Sequence, residues 1–507
     1  MAPSLRPRIA VIGGGWAGLA AASRLTDRLG ESGAEVHLLE AAPAIGGRAK
    51  GLFWQHPSEP TLKAPIDNGQ HLILGAHRRT LDWLSRLGVL QTQWQSNPLI
   101  WRDRQAGRQL QLGNGPLWHL ALAQLWLRAK SRVQRQHLAM VWPIDLFRLL
   151  SAVRSARSQR TPPGQRHVDQ STASLAKSLG LSDGFYRRFY GPLVEAMLNT
   201  PVDQASASVF LNTLSEVLDP KAAMSRCWHP LTNLGQDALD PWQTWLTERG
   251  VQLHCGLRVT SIEPSAPTAH GAQRWQLQAK GAPTGPAVMA QPFDAVLICC
   301  APWRAKDLVD QSPAACRSDS PAIYQLHRCL QHEPLAIATA WLWLPAGASD
   351  RALSWSGLNT HAVYPLSLPS SRQDVRAIGL FRPAGPWGRL ASLSFSALKN
   401  PDRAQLEQEA KDLFVTWLGP WAQDHPRRLV IEKQATWSCE VGTHGADPHQ
   451  PADLRAGPPT TDGSSGGLWL AGDAHQPGLP ATIESAVLAG ERAADQAIDS
   501  LTSTHRR

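Results

Sequence analysis

The chain has 507 residues and a formal charge of +9, from 50 Lys and Arg against 41 Asp and Glu. That length exceeds one ordinary domain and suggests two or three, while no apolar run reaches the ~18–20 residues of a membrane span and the first strand-like segment begins too near Met1 to leave room for a secretory signal. Seven cysteines without a Cys-x-x-Cys pair argue against a disulfide framework or a zinc site and fit a reducing cytosol.

Ile9 to Ile12 is a short apolar run of the kind a buried parallel strand requires. It opens the segment Arg8-Ile-Ala-Val-Ile-Gly-Gly-Gly-Trp-Ala-Gly18. Gly13 allows a tight turn, Gly15 removes a side chain where backbone must approach a pyrophosphate, and Gly18 lets the next helix pack close to the strand. That helix, about Ala17 to Leu29, points its N-terminal amides at phosphates. A second strand, Val36-His-Leu-Leu-Glu40, ends in a carboxylate able to accept bonds from both adenosine ribose hydroxyls. The same charge would repel a 2′-phosphate. Gly46-Gly47-Arg48 follows at a spacing that favours FAD over NAD: two glycines let a loop pass close to the dinucleotide, and Arg48 can neutralise a phosphate.

Between Gly115 and Arg166 stand nine basic residues and one acid, Asp145, so most of the excess charge lies in about a tenth of the chain. Leu122, Leu125, Trp126, Ala129 and Val133 share one helical face, with Arg128, Arg132 and Arg135 on its flanks or opposite side. Pro143 can open a second helix carrying Ile144, Phe147, Leu150 and Val153 as its apolar face. Basic, Trp-bearing amphipathic helices suit interfacial docking on a membrane through 115–160, each basic group adding roughly 1 kcal/mol near an anionic leaflet. The alternative is a helical domain whose apolar stripe is core. No nucleic-acid-binding signature accompanies the charge. Leu175, Leu179, Phe185, Phe189, Leu193 and Met197 continue at helix-like spacing.

Gly250 to Val259 reads as two short strands around a turn, with Val259 as a cofactor contact, and Phe293 to Pro302 as a buried strand ending at a proline break. Gly271 to Gln291 is loop-prone or a small hairpin. Leu335 to Leu344 is an apolar run and Gln405 to Trp417 a helix. His444, Asp447 and His449 sit in a Pro/Gly-rich loop without a second ligand cluster, so no metal is expected. Near the C-terminus, Leu468-Trp-Leu-Ala-Gly-Asp473 reads as a strand with Asp473 placed for ribityl or phosphate-proximal hydroxyls. Pro480-Ala481-Thr482 then starts a helix whose dipole would favour an anionic reduced flavin.

The fold class is therefore α/β. A Rossmann-like FAD-binding domain of the glutathione-reductase type is assembled from 1–95, 226–305 and 463–507. An α+β substrate domain is formed by 96–225 and 306–462.

These segments, together with Asp67-Asn-Gly-Gln-His-Leu-Ile-Leu-Gly75, Gly191-Pro-Leu-Val-Glu-Ala-Met-Leu-Asn-Thr-Pro201, Glu432-Lys-Gln-Ala-Thr-Trp437 and Gly478-Leu-Pro-Ala-Thr-Ile-Glu484, carry a resemblance. The chain resembles the FAD-dependent amine oxidase and phytoene desaturase superfamily over nearly its whole length, and within it the squalene-associated branch of hydroxysqualene dehydroxylases. It departs from that branch at Ala474-His-Gln-Pro477 and over Ser354 to Pro383. The resemblance implies FAD as cofactor, with Gly13, Gly15, Gly18, Glu40, Gly46, Gly47, Arg48, Gly69, Val259, Gly472, Asp473, Ala481 and Thr482 around it. It implies reductive dehydroxylation of hydroxysqualene to squalene in a route towards hopanoids, squalene-synthase-like enzymes as neighbours, and a protein in the cytoplasm or on the inner face of its membrane. The family places the Gly69-Gln70-His71 turn beside the flavin, so His71 or Asp67 is the expected source or relay of the proton, with His475 as runner-up. Their alternative is structural, Asp67 capping the turn and His71 satisfied by backbone. Competing functions are a carotenoid-type desaturase, an amine oxidase, which would want an aromatic cage from the four tyrosines at 186, 190, 324 and 364, or a non-catalytic flavin scaffold for membrane isoprenoid synthases.

Overall fold

The computed structural model describes residues 6–30, 33–103, 108–112, 143–158, 169–219, 226–267, 273–281, 288–316, 319–344, 363–367, 376–381, 388–443, 453–457 and 467–503. Most of the basic segment 115–160, the loop with His444, Asp447 and His449, and much of 354–383 lie outside these residues.

Two sheets organise the molecule. The first has five parallel strands in the order Gly467–Leu470, Ala295–Ile298, Arg8–Ile12, Glu35–Glu40 and Gln252–Cys255. Three distant stretches of chain thus supply one sheet, and its central strand, Arg8–Ile12, is buried throughout, as a strand covered on both faces must be. Helices Trp16–Leu29 and Ile483–Ser503 pack against each other on one face. They approach so closely that a Cβ on Gly490 would lie 2.1 Å from the Ala17 carbonyl oxygen. The helix Arg78–Arg86 is tied to Ile483–Ser503 by Glu484, which accepts from the Arg79 and Thr80 amides, and by a two-pronged Arg79–Glu491 pair at 2.8 Å.

Among the described residues the second sheet has nine strands. Its core is Arg427–Thr436, Leu335–Leu344 and Arg389–Leu398, all antiparallel and packed on the helix Arg403–Leu418. At the other end Arg226–Pro230 pairs with both Ile73–Leu74 and Trp94–Asp103.

Three expectations change in detail. Pro302 does not merely break the strand: Ala295–Ile298 ends earlier, and Pro302 opens the helix Pro302–Asp310, where its missing N–H costs nothing. The helical pattern from Leu175 to Met197 is several pieces, Thr172–Ser178, Asp183–Phe185, a π-helical turn Tyr186–Tyr190 and Gly191–Leu198. Gly180 in the left-handed region (φ +62°) and the cap at Ser182 impose the first break. The helix Pro143–Ser158 exists but buries a different face: Leu149 and Val153 are inside, while Ile144 and Phe147 are 67% and 71% exposed. Asp145 sets this rotation, because it is drawn inward to accept from the Ser182 amide and hydroxyl at 3.0 and 2.7 Å.

Candidate active site

A cavity of about 690 Å³ runs from the first sheet to the second. Its walls come from the turn after Arg8–Ile12, the end of Glu35–Glu40, the 46–49 loop, residues 68–73, the strand start at 257–260, and the segments 472–473 and 481–486.

At the first-sheet end the glycines are under measurable constraint. Gly13 has φ +110°, its amide donates to the Leu39 carbonyl at 2.7 Å, and a Cβ there would meet the Cys299 carbonyl oxygen at 2.9 Å. A Cβ on Gly18 would sit 1.9 Å from the Gly13 oxygen. Gly15 differs, since a Cβ there would meet only Gly47 Cα at an ordinary 3.8 Å. Packing does not demand this glycine; the room it leaves is on the cavity side. Gly15 also starts the helix Trp16–Leu29, whose first turn has neither a side-chain cap nor an acid. An uncapped helix N-terminus beside such space fits a pyrophosphate, and on that ground the residues present fit FAD.

Gly46 and Gly47 (φ +119° and +64°) lie against this turn, the Gly46 amide donating to the Gly14 carbonyl at 2.8 Å. The Glu40 carboxylate is held by the Gly14 amide at 2.6 Å and the Ala42 amide at 2.7 Å, and it lines the cavity with lone pairs to spare for hydroxyl donors. Val259, Gly472, Ala481 and Thr482 line it as well. The Thr482 hydroxyl caps the helix Ile483–Ser503 by accepting from the Ser485 amide at 3.1 Å.

Arg48 has a more committed position than its sequence context suggests. Its guanidinium donates to buried Asp473 at 2.5 Å and to the Ala435 carbonyl at 2.9 Å. One side chain therefore joins the loop after Glu40, the C-terminal segment and the second sheet.

At the second-sheet end the organising residue is Asn68. Its Oδ1 accepts from the Lys50 amide at 3.1 Å, and its Nδ2 donates to the Arg48 carbonyl at 2.7 Å. These backbone groups fix which way the amide points. His71 Nε2, 2.8 Å from the same Oδ1, must then carry a hydrogen, which assigns the tautomer of the neutral ring. Asn68 Nδ2 also donates to Glu432 Oε2 at 3.3 Å. Gly69 lines the cavity beside His71, whose ring would be 3.0 Å from a Cβ on that glycine. His71 itself sits at φ +41°, outside the usual range for a side-chain-bearing residue.

Two expected candidates are displaced. Asp67 is fully buried and does not line the cavity; it accepts from the Leu234 amide at 2.8 Å and so holds the turn from behind. His475 is also buried away from the cavity, 3.3 Å from the Ala322 carbonyl, with its pKa pushed down to about 4 by burial. Sequence reading missed several cavity residues, among them Asn68, Glu432 and His77. Asn68 and Glu432 lay inside motifs already singled out, but a motif does not say that residues 364 apart meet. His77, whose buried Nδ1 has no hydrogen-bond partner among the described residues and whose pKa burial lowers to about 4, gave no signal at all. Trp16 is the one Trp, Tyr or Phe among the described residues of the wall. Tyr190 instead donates to the Thr172 carbonyl within a separate cluster that also holds Tyr186, and Tyr324 is exposed.

The description of flavin containing amine oxidoreductases matches residues 16–498 of this chain. The hydroxysqualene dehydroxylase of Zymomonas mobilis subsp. mobilis is 25% identical over 502 residues, covering 96% of this chain and 98% of that protein. The enzyme of the same name from Rhodopseudomonas palustris is 26% identical over 493 residues, covering 96% and 97%. Among solved structures, cyclohexylamine oxidase from Brevibacterium oxydans superposes with a TM-score of 0.63 at 16% identity, over 97% of this chain and 99% of its own. Putrescine oxidase bound to putrescine gives 0.61 at 13% identity, over 98% and 100%. At such identities the solved structures speak for the fold.

Proposed function

Since this chain belongs to the flavin containing amine oxidoreductases and is an FAD-dependent oxidoreductase, we propose that it reductively removes the hydroxyl group of hydroxysqualene, giving squalene and water. The observation that carries this reading is the similarity to hydroxysqualene dehydroxylases from end to end, through both sheets rather than through the dinucleotide motif alone. An amine oxidase reading would want aromatic walls, and the described wall offers Trp16 only, close to the phosphate turn.

When bound, reduced FAD supplies a hydride. The Gly13–Gly18 turn would take its pyrophosphate, Glu40 the adenosine ribose, and Val259 the adenosine side. Gly46 and Gly47 would let the loop close over the dinucleotide, and Arg48 would act by fixing Asp473. Gly472, Asp473, Ala481 and Thr482 would flank its middle and pyrimidine end, leaving the ring near Gly69 and His71. We assign His71 to positioning at the reacting end and Asp67 to support of the turn. Segments 1–95, 226–305 and 463–507 form the FAD-binding domain in this reading, and 96–225 with 306–462 the substrate domain.

So insoluble a substrate would arrive from lipid. Exposed Ile144 and Phe147, on a helix that also carries Arg148 and Arg154, support docking of 115–160 on an anionic inner leaflet. No helix of the described residues is long and apolar enough to cross a membrane. Squalene-synthase-like enzymes would be the natural neighbours, as sources of the substrate.

The test is anaerobic. Holoprotein reduced with dithionite is mixed with hydroxysqualene in anionic vesicles, and both flavin absorbance and extracted lipid are followed. Reoxidation matched by squalene formation is expected. A flavin that stays reduced, with no squalene formed, would favour the scaffold; oxidation of a polyene by the oxidised protein would favour a desaturase.

A further inference from the structure

Hydroxide is a poor leaving group, so loss of the substrate hydroxyl needs an acid in the cavity. Few of the described wall residues can serve. Glu40 and Asp307 lie at the first-sheet end, the former held by two amides and the latter paired with Arg304 at 3.0 Å. Asp473 is engaged by Arg48. Burial pushes the Cys300 thiol up to about 12 and holds the His77 ring neutral, with a pKa of about 4. His71 commits its Nε2–H to Asn68, so it could donate to a substrate only as the cationic ring, through Nδ1.

We propose that Glu432 is the general acid of the reaction and that Asn68 positions it. This inference rests on the dehydroxylation reading. Glu432 stands on the strand Arg427–Thr436, opposite Ile337, where both line the second-sheet end of the cavity. It is the one carboxyl group among the described wall residues at that end. Asn68 donates to Oε2, and among the described residues Oε1 has no hydrogen-bond partner. One oxygen is thus anchored by an amide whose orientation the Lys50 and Arg48 backbone fixes, and the other is available to carry the proton. The carboxyl proton passes to the hydroxyl oxygen, the C–O bond breaks with both electrons on oxygen, and water departs. The allylic carbon would then be satisfied by the hydride, one hydrogen with two electrons, that bound reduced FAD would supply as two-electron donor. Glu432 remains as carboxylate until solvent returns its proton.

The experiment compares wild-type and Glu432→Gln holoprotein, prereduced and mixed in single turnovers with hydroxysqualene or with its acetate ester. Glutamine keeps an oxygen for Asn68 but has no acidic proton, and acetate leaves without protonation. With the alcohol, Glu432→Gln should be slower by about 10²- to 10⁴-fold. With the ester, the two proteins should agree within about threefold. An alcohol rate near wild type overturns the proposal, and so does an ester slowed as much as the alcohol, which marks a structural role. A wild-type protein inert towards both substrates removes the dehydroxylation reading itself, and Glu432 with it.

Discussion

At the Gly13–Gly18 end of the cavity the protein works through backbone; at the Asn68–Glu432 end it works through side chains. The first end is a short continuous stretch whose shape follows from missing Cβ atoms, a positive φ at Gly13 and an uncapped helix start. The second is an amide, an imidazole and a carboxylate brought together from residues 68, 71 and 432, with Lys50 and Arg48 backbone fixing their orientation. A cofactor shared by many enzymes is bound by geometry that tolerates little variation. The second end takes its side chains from a turn, at 68 and 71, and from one strand, at 432, where they can change one by one.

If this contrast holds, substitutions should separate along it. The largest effect is expected for Gly18→Ala, whose Cβ would fall 1.9 Å from the Gly13 carbonyl oxygen. Helix and strand must part, at a cost of about 1–3 kcal/mol or more, and the purified protein should be nearly colourless. A full 450 nm flavin band would show that the close approach at this turn is dispensable. Glu40→Gln should weaken FAD affinity by about 10- to 100-fold, as loss of hydrogen bonds to a charged group costs about 1.5–3 kcal/mol. Titration of apoprotein measures it, and wild-type affinity would take Glu40 out of the ribose site.

His71→Ala tests the other end. FAD content should stay near wild type while reoxidation of the reduced flavin by hydroxysqualene slows by about tenfold, less than in Glu432→Gln because a positioning contact is lost and not the proton. An undiminished rate eliminates His71. The smallest effect is on stability. Burial keeps His475 neutral in the folded protein down to about pH 4, whereas unfolded it takes up a proton near 6.5. The unfolded state therefore binds more protons in that window. The contribution is complete above pH 6.5 and is lost as the pH falls towards 4, by at most about 1.4 kcal/mol per unit. Urea unfolding at pH 6.5, 5.5 and 4.5 should show a shallower loss in His475→Gln. Identical slopes would mean that His475 is solvated in the folded state.

The sequence by itself determined several strands of the first sheet and the glycine turn that follows Arg8–Ile12. Arg8–Ile12, Glu35–Glu40 and Gly467–Leu470 are apolar runs ended by glycine or acid, and such signals are local: a strand period, a required φ, a helix start. It also drew attention to the motifs at Asp67 and Glu432. Tertiary structure alone decided which of their residues face the cavity. Asp67 turned inward to the Leu234 amide, Arg48 was committed to Asp473, and the Pro143–Ser158 helix rotated to bury Asp145 against Ser182. The physical reason is the same in each case. A side chain's role follows from the partner it meets across hundreds of residues, and no period or spacing along one strand encodes the identity of that partner.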